Sequence, residues 1–383
     1  MTLSYLNNRT LSQLLCHTSM MIGFLLTLVL VWSCSATIFD GKLRNASDGT
    51  MEAYMIPRFK SSHASFIEPC PNDDLVMAWF SGSAEGESDV AIVVSRLPNG
   101  TDQWTSPVAV SQRKGYSNQN PVLFYDTQSC SLYLFHTQQE AKKLVNGGIS
   151  GEDSATIWEL QSSNNGMNWT SPRIMFAKAG SFDRNRIVVS QKQSWLYPIY
   201  YAGGSRKDTS YIKESVTHKP FDTWLEHYFT GSDHLVQPSV VRPVKNSTRL
   251  VSFFRDRRAE YIYRAVSLTD GVTWTKPTKT TLPNNNSGIE ATALQSGHLA
   301  IVYNPTNKIR NPIVISLSED EGVTWTHTRS LDHETYSNGI ELSYPTLFQD
   351  STGRIHVSYT YNRETIKHKI LPNEAWITQK ANY

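Results

Sequence analysis

Cysteine is nearly absent from this chain of 383 residues, with four in all, and two of those, Cys16 and Cys34, fall within the first 36 positions. The remaining pair, Cys70 and Cys130, cannot build a zinc site, nothing else has metal-ligand spacing, and no cofactor is expected. Excess charge is missing too. Lys and Arg total 36 against 34 Asp and Glu, a net charge of +2 with no long basic run, so nucleic acid is not an expected partner. A long hydrophobic run is also lacking. The apolar stretch in MMIGFLLTLVLVWSCSA, from Met20 to Ala36, falls short of the roughly twenty residues that a membrane-spanning helix needs. An apolar run of about a dozen residues followed by small ones reads as a secretory signal peptide covering residues 1–36. A signal anchor is the alternative, and the one way in which a membrane would become a partner.

Export implies a secreted or extracellular chain in an oxidising compartment. Acceptor sequons then stand at Asn45, Asn99, Asn168, Asn246 and Asn285, each beside an expected turn. Aromatic residues are plentiful at 11%, including ten Trp and eighteen Tyr, which suits a strand-rich fold.

Five of those tryptophans form a series. SLTDGVTW ends at Trp274, SLSEDEGVTW at Trp325, and looser versions end at Trp104, Trp169 and Trp224, giving steps of 65, 55, 50 and 51 residues. A fixed step of this size marks an array of one supersecondary unit. Within each step the same grammar recurs. In residues 287–325, SGIEATAL, HLAIVYN, NPIVISLS and VTWTHT read as four short strands parted by QSG, a loop and EDEG. Six such units predict an all-β, six-bladed β-propeller of four-stranded antiparallel blades over residues 37–383. The sixth unit lacks its tryptophan strand, and residues 51–57 are expected to supply it.

The repeated acids Asp270 and Asp320 read as turn-formers on the outer rim, where Asp bonds the following amides and Gly accepts positive φ. Cys70 and Cys130 occupy the first hairpin turn of consecutive units. That placement predicts either a disulfide stapling two blades or two unpaired buried thiols.

The chemistry is expected where the innermost strands begin, at one mouth of the central channel. Those positions are polar here: His63, Asn118, Asn120, Arg184, Arg186, Gln237, Glu290, Glu341 and Tyr344, with Arg255, Asn304 and Arg310 at or beyond the ends of second strands. Arginines and amides at the mouth of a nearly neutral protein suit an anionic sugar, because the guanidinium fork matches a carboxylate. Trp79, Phe80, Tyr359 and Tyr361 are expected as stacking walls.

The spacer S-x-D-x-G-x-T-W resembles the Asp-box. The chain from about residue 61 to 371 resembles the sialidase superfamily, in particular its secreted BNR-repeat branch, through HASFIE, AWFSGSAEGESDVAIVVSR, FFRDRRAEYIYR, LPNNNSGIEATAL, SYPTLFQ and IHVSYTYNRETIKH. The resemblance implies a glycoside hydrolase that removes terminal sialic acid or another anionic sugar, with a tyrosine nucleophile, an acid/base carboxylate and arginines on the substrate carboxylate. It places Tyr344 as nucleophile, Arg255 and Arg310 in the clamp, and Asp89 as acid/base with Glu85 as its rival. His63 stands where the superfamily has its first arginine, and Gln237 where the glutamate partner of the tyrosine belongs. Glu341 or Glu290 is left to take that partner's role, with Asn304 and Arg186 as further substrate contacts. Two other readings remain open: a glycosidase or lyase acting on uronate polysaccharide with His63 as acid/base, and a glycan-binding propeller without catalysis.

Overall fold

Alternating apolar runs and turn residues along the chain produce twenty-eight strands among the described residues, arranged as six antiparallel blades and one separate two-stranded hairpin. The computed structural model describes residues 37–379 apart from 142, 146–147, 203–208, 217–222 and 334–338. The expected signal peptide lies outside the described residues.

The first blade comprises Ser61–Pro69, Leu75–Gly82, Ala91–Leu97 and Val108–Ser111. The second comprises Tyr116–Asp126, Ser131–Glu140, Thr156–Ser162 and Arg173–Phe176, with a small hairpin inserted between its second and third strands. In the third blade the inner strand is split into Ser181–Phe182 and Val188–Val189, ahead of Trp195–Tyr201, Ser210–Ser215 and Trp224–Tyr228. The fourth runs from Leu235–Val241 through Leu250–Asp256 and Tyr261–Ser267 to Thr278–Pro283. The fifth runs from Glu290–Ala293 through Leu299–Tyr303 and Ile313–Ser318 to His327–Asp332.

The sixth blade takes three strands from the C-terminal end, Leu342–Gln349, Ile355–Tyr361 and Thr365–Leu371. Its fourth is Met51–Tyr54, paired antiparallel with Met51 opposite Ile370 and Tyr54 opposite Lys367. The two ends of the chain therefore close the ring in one sheet, and the expected outer strand is present. Closure removes exposed edges that would otherwise invite pairing with other chains. Trp376, on a short C-terminal helix, donates its indole N–H to the Asp48 carbonyl at 2.9 Å and so adds a second tie between the ends.

The core is a ring of seams rather than one central mass. Ile67, Met77 and Trp79 of the first blade pack with Ile366 and Ile370 of the sixth, and the fourth and fifth blades meet through Phe253, Ile289, Ile301 and Val314. Trp79 and Tyr359 are buried in these seams and so are not stacking walls for a ligand. Tyr361 packs edge-on against Tyr54.

The repeated sentence has a mechanical explanation. In each box the serine hydroxyl accepts the amide of the glycine four residues on: Gly166 to Ser162 at 2.9 Å, Gly271 to Ser267 at 2.9 Å and Gly322 to Ser318 at 2.7 Å. Asp320 accepts the amides of Val323 and Thr324 at 3.1 and 2.8 Å, as a turn-former does. Asp270 departs from the expectation. It stands one position later in its box, where Thr269 accepts the Thr273 amide at 2.8 Å, and Asp270 instead bonds Arg242 at 2.7 Å and the Gln191 amide at 2.6 Å. It is a strut between blades. The tryptophans end these turns and lean on the preceding blade, Trp325 on Phe253 at 5.7 Å and Trp274 on Phe229 at 4.5 Å between ring centroids.

Cys70 and Cys130 are both free, which decides against the disulfide. Cys70 is buried in the seam beneath its hairpin, while Cys130, expected to be buried, is exposed and turns toward its own loop, 3.7 Å from the Thr127 carbonyl. Burial pushes the Cys70 thiol up to about 12. Asn45, Asn99, Asn168 and Asn246 are exposed, but Asn285 is 9% exposed and its amide donates to the Ile309 carbonyl, leaving no room for a glycan there.

Candidate active site

Proline cannot donate to a strand ladder, so within a sheet it sits at an edge or a bulge. Three innermost strands carry it, as Asn120-Pro121, Gln237-Pro238 and Tyr344-Pro345, and each strand shifts register at that point. The first blade shifts likewise between His63 and Phe66. At each shift one residue takes a left-handed backbone: Ala64, Asn120, Gln237 and Tyr344, with φ of 55°, 48°, 54° and 53°. For a tyrosine this conformation costs about 1–3 kcal/mol, and such strain collects where a side chain must be aimed. The repeated bulge turns Gln237 and Tyr344 inward.

Tyr344 is 7% exposed and surrounded by guanidinium groups. Arg255 Nη1 donates to its hydroxyl at 2.5 Å, while Arg184 Nη2 donates to the Tyr344 and Pro345 carbonyls at 2.8 and 2.9 Å. The Cζ atoms of Arg184, Arg255 and Arg310 lie 5.5, 5.5 and 5.3 Å from its ring centroid. Gly288 permits this packing, since a Cβ there would stand 3.2 Å from Tyr344 Cγ and 3.3 Å from Gln237 Oε1. Burial by itself raises a phenol; Arg255 and Arg310 outweigh it, and Tyr344 ionises below the ordinary value.

The carboxylates have other occupations. Glu341 accepts Arg310 Nη1 at 2.6 Å, Arg363 Nε at 2.7 Å and Ser343 Oγ at 2.5 Å. Burial would raise this carboxyl, but the guanidiniums around it hold it well below the usual range. Glu290 accepts the Leu347 amide at 2.7 Å and faces Arg186 at 3.6 Å. Neither bonds the phenol, whose partners among the described residues are Arg255 and the Gln237 side chain rather than a carboxylate. Gln237 donates to the Tyr200 hydroxyl at 3.3 Å.

His63 stacks on Tyr344 with centroids 4.3 Å apart and on Phe80 at 5.2 Å. Burial, reinforced by Arg363, keeps it neutral. Arg363 Nη2 lies 3.5 Å from Nε2, and a guanidinium can only donate, so Nε2 accepts and Nδ1–H points at Thr360 Oγ1, 2.9 Å away. Both ring nitrogens are therefore occupied. His63 packs as a wall beneath the tyrosine.

Three expected site residues stand elsewhere. Asp89 caps its own loop, accepting the Ser83 amide at 3.0 Å and hydroxyl at 2.9 Å. Glu85 on the same loop reaches the site instead, pairing with Arg363 Nη1 at 2.6 Å and acting electrostatically on Tyr344. Arg186 is a strut to Glu68 and to the Ile67 carbonyl at 3.0 Å. Asn304 ties the fifth blade to the sixth through the Pro312 and Leu342 carbonyls, both at 2.8 Å. Two groups in the site lacked an assigned role in the sequence. Arg184 was visible as one of a pair at the third inner strand, and Arg363 sits in the block NRET without any local signature.

The model of the BNR repeat-like domain matches residues 73–357. No curated protein matches the chain in sequence. Among solved structures it is similar to the Hadza microbial sialidase Hz136, at 15% identity and a TM-score of 0.70, covering 83% of this chain and 66% of that one. A protein of unknown function from Dyadobacter fermentans matches at 16% identity and 0.67, over 86% of this chain and 98% of that one. The leech intramolecular trans-sialidase complexed with 2,7-anhydro-Neu5Ac matches at 12% and 0.69, over 90% and 71%. At these identities the likeness is one of fold.

Proposed function

This chain belongs to the BNR repeat-like family, and we propose that it is a secreted glycoside hydrolase of sialidase type, removing a terminal carboxylate-bearing sugar from glycans. The observation that carries the reading is the phenol of Tyr344, held 2.5 Å from Arg255 Nη1 and ringed by three guanidiniums. A nucleophile there attacks an anomeric carbon whose own carboxylate the arginines neutralise. Arg255 and Arg310 favour the ionised phenol electrostatically, a role otherwise given to a carboxylate base, and the proton leaves to solvent. In the first step the Tyr344 proton goes to water as Oη bonds the anomeric carbon, the glycosidic C–O bond breaks, and Glu85, protonated from solvent, gives that proton to the departing oxygen. In the second, Glu85 takes a proton from water, whose oxygen displaces the phenolate.

A second reading has one observation in its favour. A phenolate paired with arginine and lacking any carboxylate partner equally suits abstraction of the proton beside a uronate carboxylate, which is elimination. Incubating the mature chain with sialyllactose and with a uronate polysaccharide separates the readings. Free sialic acid that disappears in Tyr344→Phe supports the hydrolase. An unsaturated, ultraviolet-absorbing uronate moves the assignment to a lyase, and binding without product leaves a lectin. The leader sequence and the exposed sequons at Asn45, Asn99, Asn168 and Asn246 support export. Enzymatic deglycosylation that leaves the mass of the secreted chain unchanged would count against glycosylation.

A further inference from the structure

Arg363 is placed by an uncommon piece of backbone. In the turn between Ile355–Tyr361 and Thr365–Leu371, Asn362 and Arg363 both adopt left-handed conformations, with φ of 51° and 55°. The Arg363 carbonyl accepts the Ser62 amide at 2.7 Å, fixing the turn across the seam that closes the ring. Its side chain then enters the Tyr344 site from the sixth blade. Nε holds Glu341, which Arg310 also holds, and Nη2 faces His63. Nη1 is covered by Glu85.

The two carboxylates on Arg363 differ in how firmly they are kept. Glu341 accepts from Arg310, Ser343 and Arg363 together, and its side chain is 18% exposed. Glu85 has Arg363 as its side-chain partner, its side chain is 39% exposed, and its loop bends at Gly86 with φ of 85°. A carboxylate held by one exposed ion pair exchanges readily, because such pairs are individually weak. Arg310 shares Glu341 with Arg363, so a second guanidinium stands close to the one Glu85 covers.

We infer that Arg363 is a substrate-binding residue whose seat Glu85 occupies at rest, and that the sugar carboxylate displaces Glu85 from it. This rests on the reading of the site as one for a carboxylate-bearing sugar. Displacement separates Glu85 from Arg363 as the sugar enters, freeing its carboxyl to face the departing oxygen. Binding and proton delivery are thereby coupled through one residue.

Calorimetric titration with sialic acid and with D-glucuronic acid, each alongside its methyl ester, tests this without turnover. Arg363→Ala is expected to weaken the acid that binds by tenfold or more and to leave its ester unchanged. Arg363→Lys should recover part of the loss. Glu85→Ala is expected to tighten acid binding severalfold, because the competing carboxylate is gone, and it decides the matter should Arg363→Ala fail to fold by thermal melting. Unchanged acid binding in folded Arg363→Ala, or weaker binding in Glu85→Ala, overturns the inference while leaving the function intact. Failure of the wild type to bind either acid overturns both.

Discussion

Replacing Arg255 by Met removes the donor that stands 2.5 Å from the Tyr344 hydroxyl while keeping most of the side-chain volume. A hydrogen bond to a charged group contributes about 1.5–3 kcal/mol. One pKa unit corresponds to about 1.36 kcal/mol, so the phenol midpoint should rise by about 1–2 units. Burial, which already pushes it upward, is then opposed by Arg310 and Gln237 without Arg255. The chain has eighteen tyrosines, so the titration is read as an ultraviolet difference spectrum against Tyr344→Phe, which isolates one phenolate. Stability follows with a defined sign. The folded phenol ionises below its ordinary value of 10.0, so between the two midpoints the folded chain binds fewer protons than the unfolded one. The contribution is full above the unfolded midpoint and is lost as pH falls through the folded one. Wild type should therefore gain on Arg255→Met as pH rises through that window. A Tyr344 midpoint that does not move in Arg255→Met would refute the claim that arginine takes the place of the missing base.

Gly322→Ala should destabilise the ring by about 2–4 kcal/mol, adding the strain of a left-handed alanine to overpacking; its Cβ would stand 2.3 Å from Phe253 Cζ at a φ of 83°. The denaturant midpoint measures this, and an unchanged midpoint contradicts the packing of the box. Cys130 should react with a thiol reagent in the native protein and Cys70 only after unfolding; a chain that gains two hydrogens on reduction contradicts free thiols.

The fold was legible because its period is written in residues that each blade needs locally. The serine, the glycine and the tryptophan of the box act within eight residues of one another, and so survive in sequence as a pattern. The closing strand was legible by subtraction, since the sixth unit lacked one. The site was legible only where an inner strand aims its own residue. Tyr344 could be placed from the strand start, and Arg255 and Arg310 meet it from the fourth and fifth blades. Proline after Asn120, Gln237 and Tyr344 was an available sign of the bulges that aim them. Arg363 was not legible, because its position depends on two left-handed residues and on a seam joining the two ends of the chain. Asp89 and Glu85 stand four residues apart in one loop, and which one turns inward is decided by Ser83 and Arg363. Arg184 and Arg186 alternate along one strand start. Their order in sequence does not say that the first clamps Tyr344 and the second braces Glu68.

The claim that Tyr344 attacks the anomeric carbon is tested most directly by trapping. A fluorinated sialic acid that forms the glycosyl intermediate faster than water removes it would be incubated with the mature chain, digested and read by mass spectrometry. The account predicts the sugar mass on the peptide that carries Tyr344, absent from Tyr344→Phe, with the label released slowly as activity returns. Turnover of sialyllactose by a chain whose Tyr344 peptide stays unmodified, or a label on any other residue, would contradict it.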